Sequence, residues 1–229
     1  MISVGILQAG HAPDEVVRNR GDYDHFFRQL LGGRGLAFRT WNVVDMEFPN
    51  GPGAADAWLV TGSRHGAYED HPFIPPLEDF IRAVRDDGRP MVGVCFGHQI
   101  IAQALGGRVE KWRGGWAIGR QDYRIEGLGD TPLYGWHQDQ VTEVPPGARV
   151  VGETSACRMA ALAYGDRIWT IQPHPEFDAD MVRDLADLRG NAMGAGPDQV
   201  AAARASAGVP VDPSPVADLM ARVLEGRGA

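Results

Sequence analysis

Short apolar runs alternate along the chain with amphipathic stretches. Residues 3–7, 38–44, 57–61 and 91–94 are apolar segments of strand length, most of them bounded by Gly, Pro, Asn or Asp, which predicts buried β-strands. Between them, 23–31 puts Phe26, Phe27, Leu30 and Leu31 at helical spacing and closes on Gly32-Gly33, and 73–85 lines up Leu77, Phe80, Ile81 and Val84. Both read as helices with one buried face. A further helix is expected over 99–105, ending at Gly106-Gly107. Strands alternating with helices across short loops argue for a parallel sheet covered on both faces. Sites in such sheets lie at the carboxyl ends of the strands.

The second half is patterned differently. Residues 108–126 read as a hairpin or strand pair leaving the main sheet, and 150–152, 159–164 and 168–172 as antiparallel strands. Helices are expected at 181–188, 199–207 and 216–224, the last two joined by a stiff proline-rich connector over 209–215. The expected organisation is a main domain over 1–190 and a helical extension over 191–229 that packs on it or mediates self-association into a homo-oligomer.

Composition narrows the function classes. The chain has 229 residues, 44% hydrophobic and 23% charged, as expected for a soluble globular domain. A formal net charge of −8 with no basic stripe argues against nucleic acid or an anionic membrane as partner. Two well-separated cysteines make no disulfide framework, and neither a signal-like start nor a run of membrane-spanning length is seen. The expectation is a cytoplasmic protein.

One stretch organises the candidate chemistry. Cys95 follows the 91–94 strand directly and precedes a helix, flanked by Gly93 and Gly97 as G-x-C-x-G. Small residues there relieve crowding at a strand-to-helix elbow, and a helix N-terminus beside the sulfur favours thiolate. Two readings stand at this point, a cysteine nucleophile and a buried core thiol. His174, held between Pro173 and Pro175 after the 168–172 strand, is a candidate base, and Glu176 is within reach to orient it. His174 taken alone also reads as an ordinary surface histidine. Cys157 has neither elbow nor helix start and reads as structural.

G-V-C-F-G-H-Q at 93–99 with Q-P-H-P-E-F at 172–177 resembles the class I (triad-type) glutamine amidotransferase family in order and spacing, over roughly residues 4–177. The resemblance implies a flavodoxin-like three-layer sandwich with a mostly parallel central sheet. It also implies a Cys95–His174–Glu176 triad forming a γ-glutamyl thioester. Oxyanion donors are then the N–H of Phe96 and an N–H from the 61–66 loop, assigned to Ser63. That loop departs from the commonest family pattern, which has glycine and then proline at 63–64. Gln99, Gly62, Gly114, Gly115 and Trp116 are substrate-binding candidates, and His98 reads as packing or capping the elbow. His137 and Asp139 read as stabilising a turn or lining the substrate site, since two ligands do not make a metal centre. No metal and no cofactor are implied.

The functional expectation is release of ammonia from glutamine for a separate synthase or synthetase subunit. The alternative is a self-sufficient γ-glutamyl peptidase or hydrolase. T-G-S-R-H at 61–65 and W-H-Q-D-Q-V-T-E-V-P at 136–145 resemble that stand-alone branch. A third reading is a catalytically silent regulatory homologue.

Overall fold

Among the residues that the computed structural model describes, 1–190 and 192–228, nine strands form one sheet. Its order is β2-β1-β3-β4-β11-β10-β9-β6-β7. β1 (Ile2–Leu7), β2 (Leu36–Trp41), β3 (Ala57–Val60), β4 (Met91–Val94) and β11 (Ile168–Ile171) run parallel to their neighbours in that stretch. This is the 2-1-3-4-5 order of flavodoxin-like sheets. β10 (Ala161–Tyr164), β9 (Ala148–Glu153), β6 (Ala117–Ile125) and β7 (Gly129–His137) continue it antiparallel.

The strands that the sequence marks as continuous apolar runs are those buried on both faces. Every residue of β3, β4 and β11 is buried, the pattern of a parallel strand between two helical layers. On one face, α2 (Tyr23–Leu30) and α7 (Ser214–Leu224) pack on Val4, Ile6, Val92 and Trp169. On the other, α3 (Ile74–Asp86) and α4 (Phe96–Ala104) pack on Leu7, Trp58 and Val60. Gly5 lets the Trp58 ring lie flat against β1, because a Cβ there would come within 2.2 Å of it. The three-layer α/β architecture is the one expected.

Several elements depart from the sequence pattern. α1 (Asp14–Arg20) was not signalled, since it buries only Val16 and shows no apolar stripe. β2 ends at Trp41 rather than at residue 44, because Val43–Asp45 turns as a 3-10 segment with Met46 left-handed at φ 67°. The expected strand pair over 108–126 divides. β5 (Arg108–Lys111) leaves the main sheet to pair with β8 (Asp139–Glu143), whereas β6 stays and pairs along its whole length with β7. Burial of Tyr123, Ile125 and Leu133 in the same apolar cluster as the parallel strands holds that hairpin in the main sheet.

α5 (Ala179–Arg189) and α6 (Pro197–Ser206) lie beside the β6–β7 end, and α7 enters the central core with Val216, Met220, Val223 and Leu224. No described helix is long and apolar enough to cross a membrane. Leu224→Ala, at a side chain 1% exposed, is expected to lower unfolding free energy by about 2–5 kcal/mol. Leu188→Ala, at a side chain 41% exposed, is expected to stay within about 0.5 kcal/mol. Urea denaturation of both variants checks this, and equal effects would remove α7 from the core.

Candidate active site

Cys95 stands at the carboxyl end of β4 with φ 53° and ψ −105°. A positive φ is costly for a residue bearing a side chain, about 1–3 kcal/mol, and surrounding contacts hold it. Its N–H donates to the Ile171 carbonyl at 2.9 Å, and its own carbonyl accepts from Gln99 N–H at 3.1 Å. The two flanking glycines are explained by backbone approach. A Cβ at Gly97 would lie 2.2 Å from the Val60 carbonyl oxygen, and one at Gly93 would lie 2.6 Å from the Gly97 carbonyl. α4 therefore begins at Phe96, earlier than the spacing from 99 suggested. As a first-turn residue of that helix, Phe96 has an N–H with no intrahelical acceptor.

His174 is fixed at the end of the neighbouring strand. Its N–H donates to the Tyr134 carbonyl at 2.8 Å, tying the post-β11 segment to β7. Phe177 stacks on the imidazole with ring centroids 3.9 Å apart and planes 6° apart, and Tyr23 stacks in turn on Phe177. Nδ1 of His174 lies 2.7 Å from Oε1 of Glu176, both side chains buried. Gly62 completes the packing, since a Cβ there would sit 3.0 Å from His174 Cε1 and 3.7 Å from Cys95 Cβ. Cys95, His174, Glu176 and Gly62 are thus brought together from three strand ends.

Burial opposes charge on His174, but the Glu176 carboxylate and the Cys95 sulfur outweigh it and push the imidazolium up to about 10. The other buried histidines go the opposite way. Burial lowers His98 to about 3 and His137 to about 4. His98 shares a hydrogen bond with Thr170 Oγ1 at 2.8 Å, and His137 donates from Nδ1 to the Asp139 carbonyl at 3.2 Å. Both rings are neutral packing elements. The buried Cys157 thiol is raised to about 12 by desolvation, so it carries no thiolate at neutral pH.

A cavity of about 450 Å³ opens over Cys95 and His174. Ser63, Gln99 and Trp116 line it. Gln99 is largely committed, its Nε2 donating to the Asp139 carbonyl at 2.8 Å and to Gln172 Oε1 at 3.1 Å. Ser63 Oγ accepts from His65 N–H, which shapes the 61–66 loop. Gly114 and Gly115 are not among the lining residues. They form the turn after β5, where Gly115 adopts φ 89° and a Cβ on Gly114 would strike the Trp112 ring. Asp139 accepts a hydrogen bond from Tyr68 O–H at 3.0 Å, so with His137 it anchors the β7–β8 turn at the cavity wall.

One wall came unannounced. Leu185, Arg189 and Met193 close the cavity from the C-terminal side, and Trp116 Nε1 donates to the Met193 carbonyl at 3.1 Å while its own carbonyl accepts from Gln199 Nε2. Only the polar-aromatic Trp116 hinted at this contact. Tyr23 and Phe177, which buttress His174, are likewise visible only in three dimensions.

Fold and cleft together define a doubly wound α/β protein of the flavodoxin-like kind, with its cleft where the parallel strands end. Comparison with known proteins narrows this. The family model described as glutamine amidotransferase class-I matches residues 41–182, and the chain belongs to that family. Gamma-glutamyl peptidase 4 of Arabidopsis thaliana is 31% identical over 182 residues, 73% of this chain and 72% of the relative. Glutamine-hydrolyzing GMP synthase of Ralstonia pickettii is 34% identical over 140 residues, 54% of this chain and 25% of that larger protein. The crystal structure of a glutamine amido transferase from Methylobacillus flagellatus shares the fold, with TM-score 0.77 at 20% identity over 98% of this chain and 94% of that one.

The charge on His174 has a measurable signature. Its folded value lies above the ordinary 6.5, so its contribution to stability is complete below about pH 6.5 and is lost as pH rises through about 10. Titration of the ring followed by carbon-13 NMR is expected to show imidazolium persisting well above pH 7. In Cys95→Ala, which removes one of the groups that raise it, the midpoint should move down. An unchanged midpoint in that variant would exclude the coupling to Cys95.

Proposed function

We propose that this class-I amidotransferase-family hydrolase cleaves γ-glutamyl amides through a γ-glutamyl thioester on Cys95, with His174 as acid–base and Glu176 as its orienting carboxylate. The observation that carries this reading is the 2.7 Å contact between buried His174 Nδ1 and Glu176, with Cys95 packed beside the same ring around Gly62. The Cys95 thiolate attacks the γ-carbonyl carbon. Negative charge passes to the carbonyl oxygen, which the N–H groups of Phe96 and Ser63 receive. His174 gives its Nε2 proton to the departing nitrogen as the C–N bond breaks. Water then loses a proton to His174, its oxygen attacks the thioester carbon, and the C–S bond breaks to return thiolate and free glutamate.

The electrostatics suit both half-reactions. Before acylation, the sulfur anion helps keep His174 protonated and ready to act as acid. Once the thioester forms, that negative charge is gone, so the ring becomes less basic and releases its proton. The neutral ring then serves as base for water. Glu176 keeps the imidazole in one orientation throughout.

The acceptor we favour is water, and the substrate a γ-glutamyl conjugate. A cavity of about 450 Å³ falls in the range of sites for ligands larger than an amino acid. The similarity to a γ-glutamyl peptidase covers most of both chains. The second reading is ammonia release from glutamine for a separate synthase subunit, favoured by similarity to the amidotransferase part of GMP synthases.

The test is turnover of the purified chain on glutamine and on a panel of γ-glutamyl amides and peptides. Fast hydrolysis of a conjugate by the chain alone is expected. Slow glutamine hydrolysis with no conjugate turnover supports the second reading. Cys95→Ala should abolish activity with the fold retained, and Glu176→Gln should leave a residue of about 10⁻³ to 10⁻⁴ of the parent kcat/KM. Retained activity in Cys95→Ala would overturn the thioester mechanism.

A further inference from the structure

Beside the cleft, three side chains converge that the proposed reaction does not use. Nε2 of His71 lies 2.8 Å from Oε2 of Glu69, and Nδ1 of His65 lies 3.7 Å from the same oxygen. All three donor atoms fall within 4.8 Å of one another, and the two imidazoles are 4.0 Å apart between centroids. We propose that His65, Glu69 and His71 form a binding site for a divalent first-row transition-metal ion of the zinc class at the rim of the cleft.

The geometry suits that ion. Bonds of about 2.0–2.1 Å at tetrahedral angles put neighbouring donor atoms about 3.3 Å apart, and the observed 2.8 and 3.7 Å bracket this value. Two imidazoles and one carboxylate are borderline donors that favour zinc over calcium or magnesium. The local backbone holds the donors in register. Glu69 N–H donates to the Gly66 carbonyl at 3.0 Å, and His71 N–H to the Glu69 carbonyl at 3.1 Å. Phe73 supports both rings, its centroid 5.8 Å from His65 and 5.9 Å from His71.

Three protein ligands leave a tetrahedral ion with one open position. His65 and Glu69 line the cleft, so the site borders the space a substrate would enter. Glu69 and His71 are partly exposed at 44% and 33%, which gives an ion a path in. Asp139 adds negative charge nearby, its Oδ2 lying 3.1 Å from where a Cβ on Gly66 would be. The open position would take water or a carboxylate, thiolate or amine donor of a bound molecule.

The test is isothermal titration of the full chain with zinc chloride, in the Cys95→Ala background. That background removes the thiolate as a competing zinc ligand and makes the result independent of turnover, so it stands or falls apart from the catalytic reading. Saturable binding of about one ion per chain is expected. Adding His65→Ala with His71→Ala should abolish it, and Glu69→Gln alone, which keeps the side-chain shape, should weaken it at least about tenfold. Glu69→Gln serves as the check if the double histidine variant does not fold. Absence of saturable binding overturns the proposal. So does binding unchanged by these substitutions, which would assign the ion elsewhere, such as His11 between Asp22 and Asp45.

Discussion

The contact between the first turn of α4 and the carboxyl end of β3 constrains the rest of the site. Gly97 approaches the Val60 carbonyl so closely that no side chain fits between them. That approach lets a helix start immediately after Cys95 and holds the cysteine in its positive-φ conformation. The strain is sustained from both sides of the sheet, because Cys95 N–H is taken by Ile171 and the core beneath is closed by α3 and α4 on one face and α7 on the other. A strained residue persists only where its surroundings over-determine it.

Charge in the same place is balanced rather than avoided. A buried imidazolium is unfavourable alone, and so is a buried carboxylate. His174 and Glu176 each make the other tolerable, and the aromatic stack of Phe177 and Tyr23 excludes water from the ring's face. The contrast with His98 and His137 is instructive. Those rings are as deeply buried but face a hydroxyl and a carbonyl instead of a carboxylate, and burial lowers both. Burial alone does not decide a histidine's protonation; the partner at the far nitrogen does.

Much of this was legible in the sequence, for reasons that differ by element. β3 and β4 announce themselves because both faces are covered, so every residue is apolar. The glycines around Cys95 and the prolines around His174 are local constraints, and local constraints leave a local mark. Helix α1 buries one side chain and left no mark. The fate of β6 was illegible because its partner β7 lies across a turn and its other partner, β9, further along, so local pattern could show a strand but not which sheet it joins. Gly114 and Gly115 show the same limit: a glycine pair signals a turn, not what the turn faces. His65, Glu69 and His71 are spaced within one loop, yet only the fold of that loop brings their donor atoms onto one point.

The cavity wall built from Arg189 and Met193 is assembled apart from the groups it faces. The parallel half of the sheet supplies the elbow and the His–Glu pair, and those parts lie within the segment that matches the family. The segment after α5 lies beyond that match, and it closes the cavity through main-chain contacts to Trp116. A scaffold that fixes reactive groups on strand ends is free to vary what faces them, because loops and added helices alter the cavity without disturbing the elbow. The reactive groups and the wall thus come from different parts of the chain. Trp116, inside the matched segment, is tied to Met193 and Gln199, outside it, so the shape of the space facing Cys95 and His174 depends on how the C-terminal helices seat against that tryptophan.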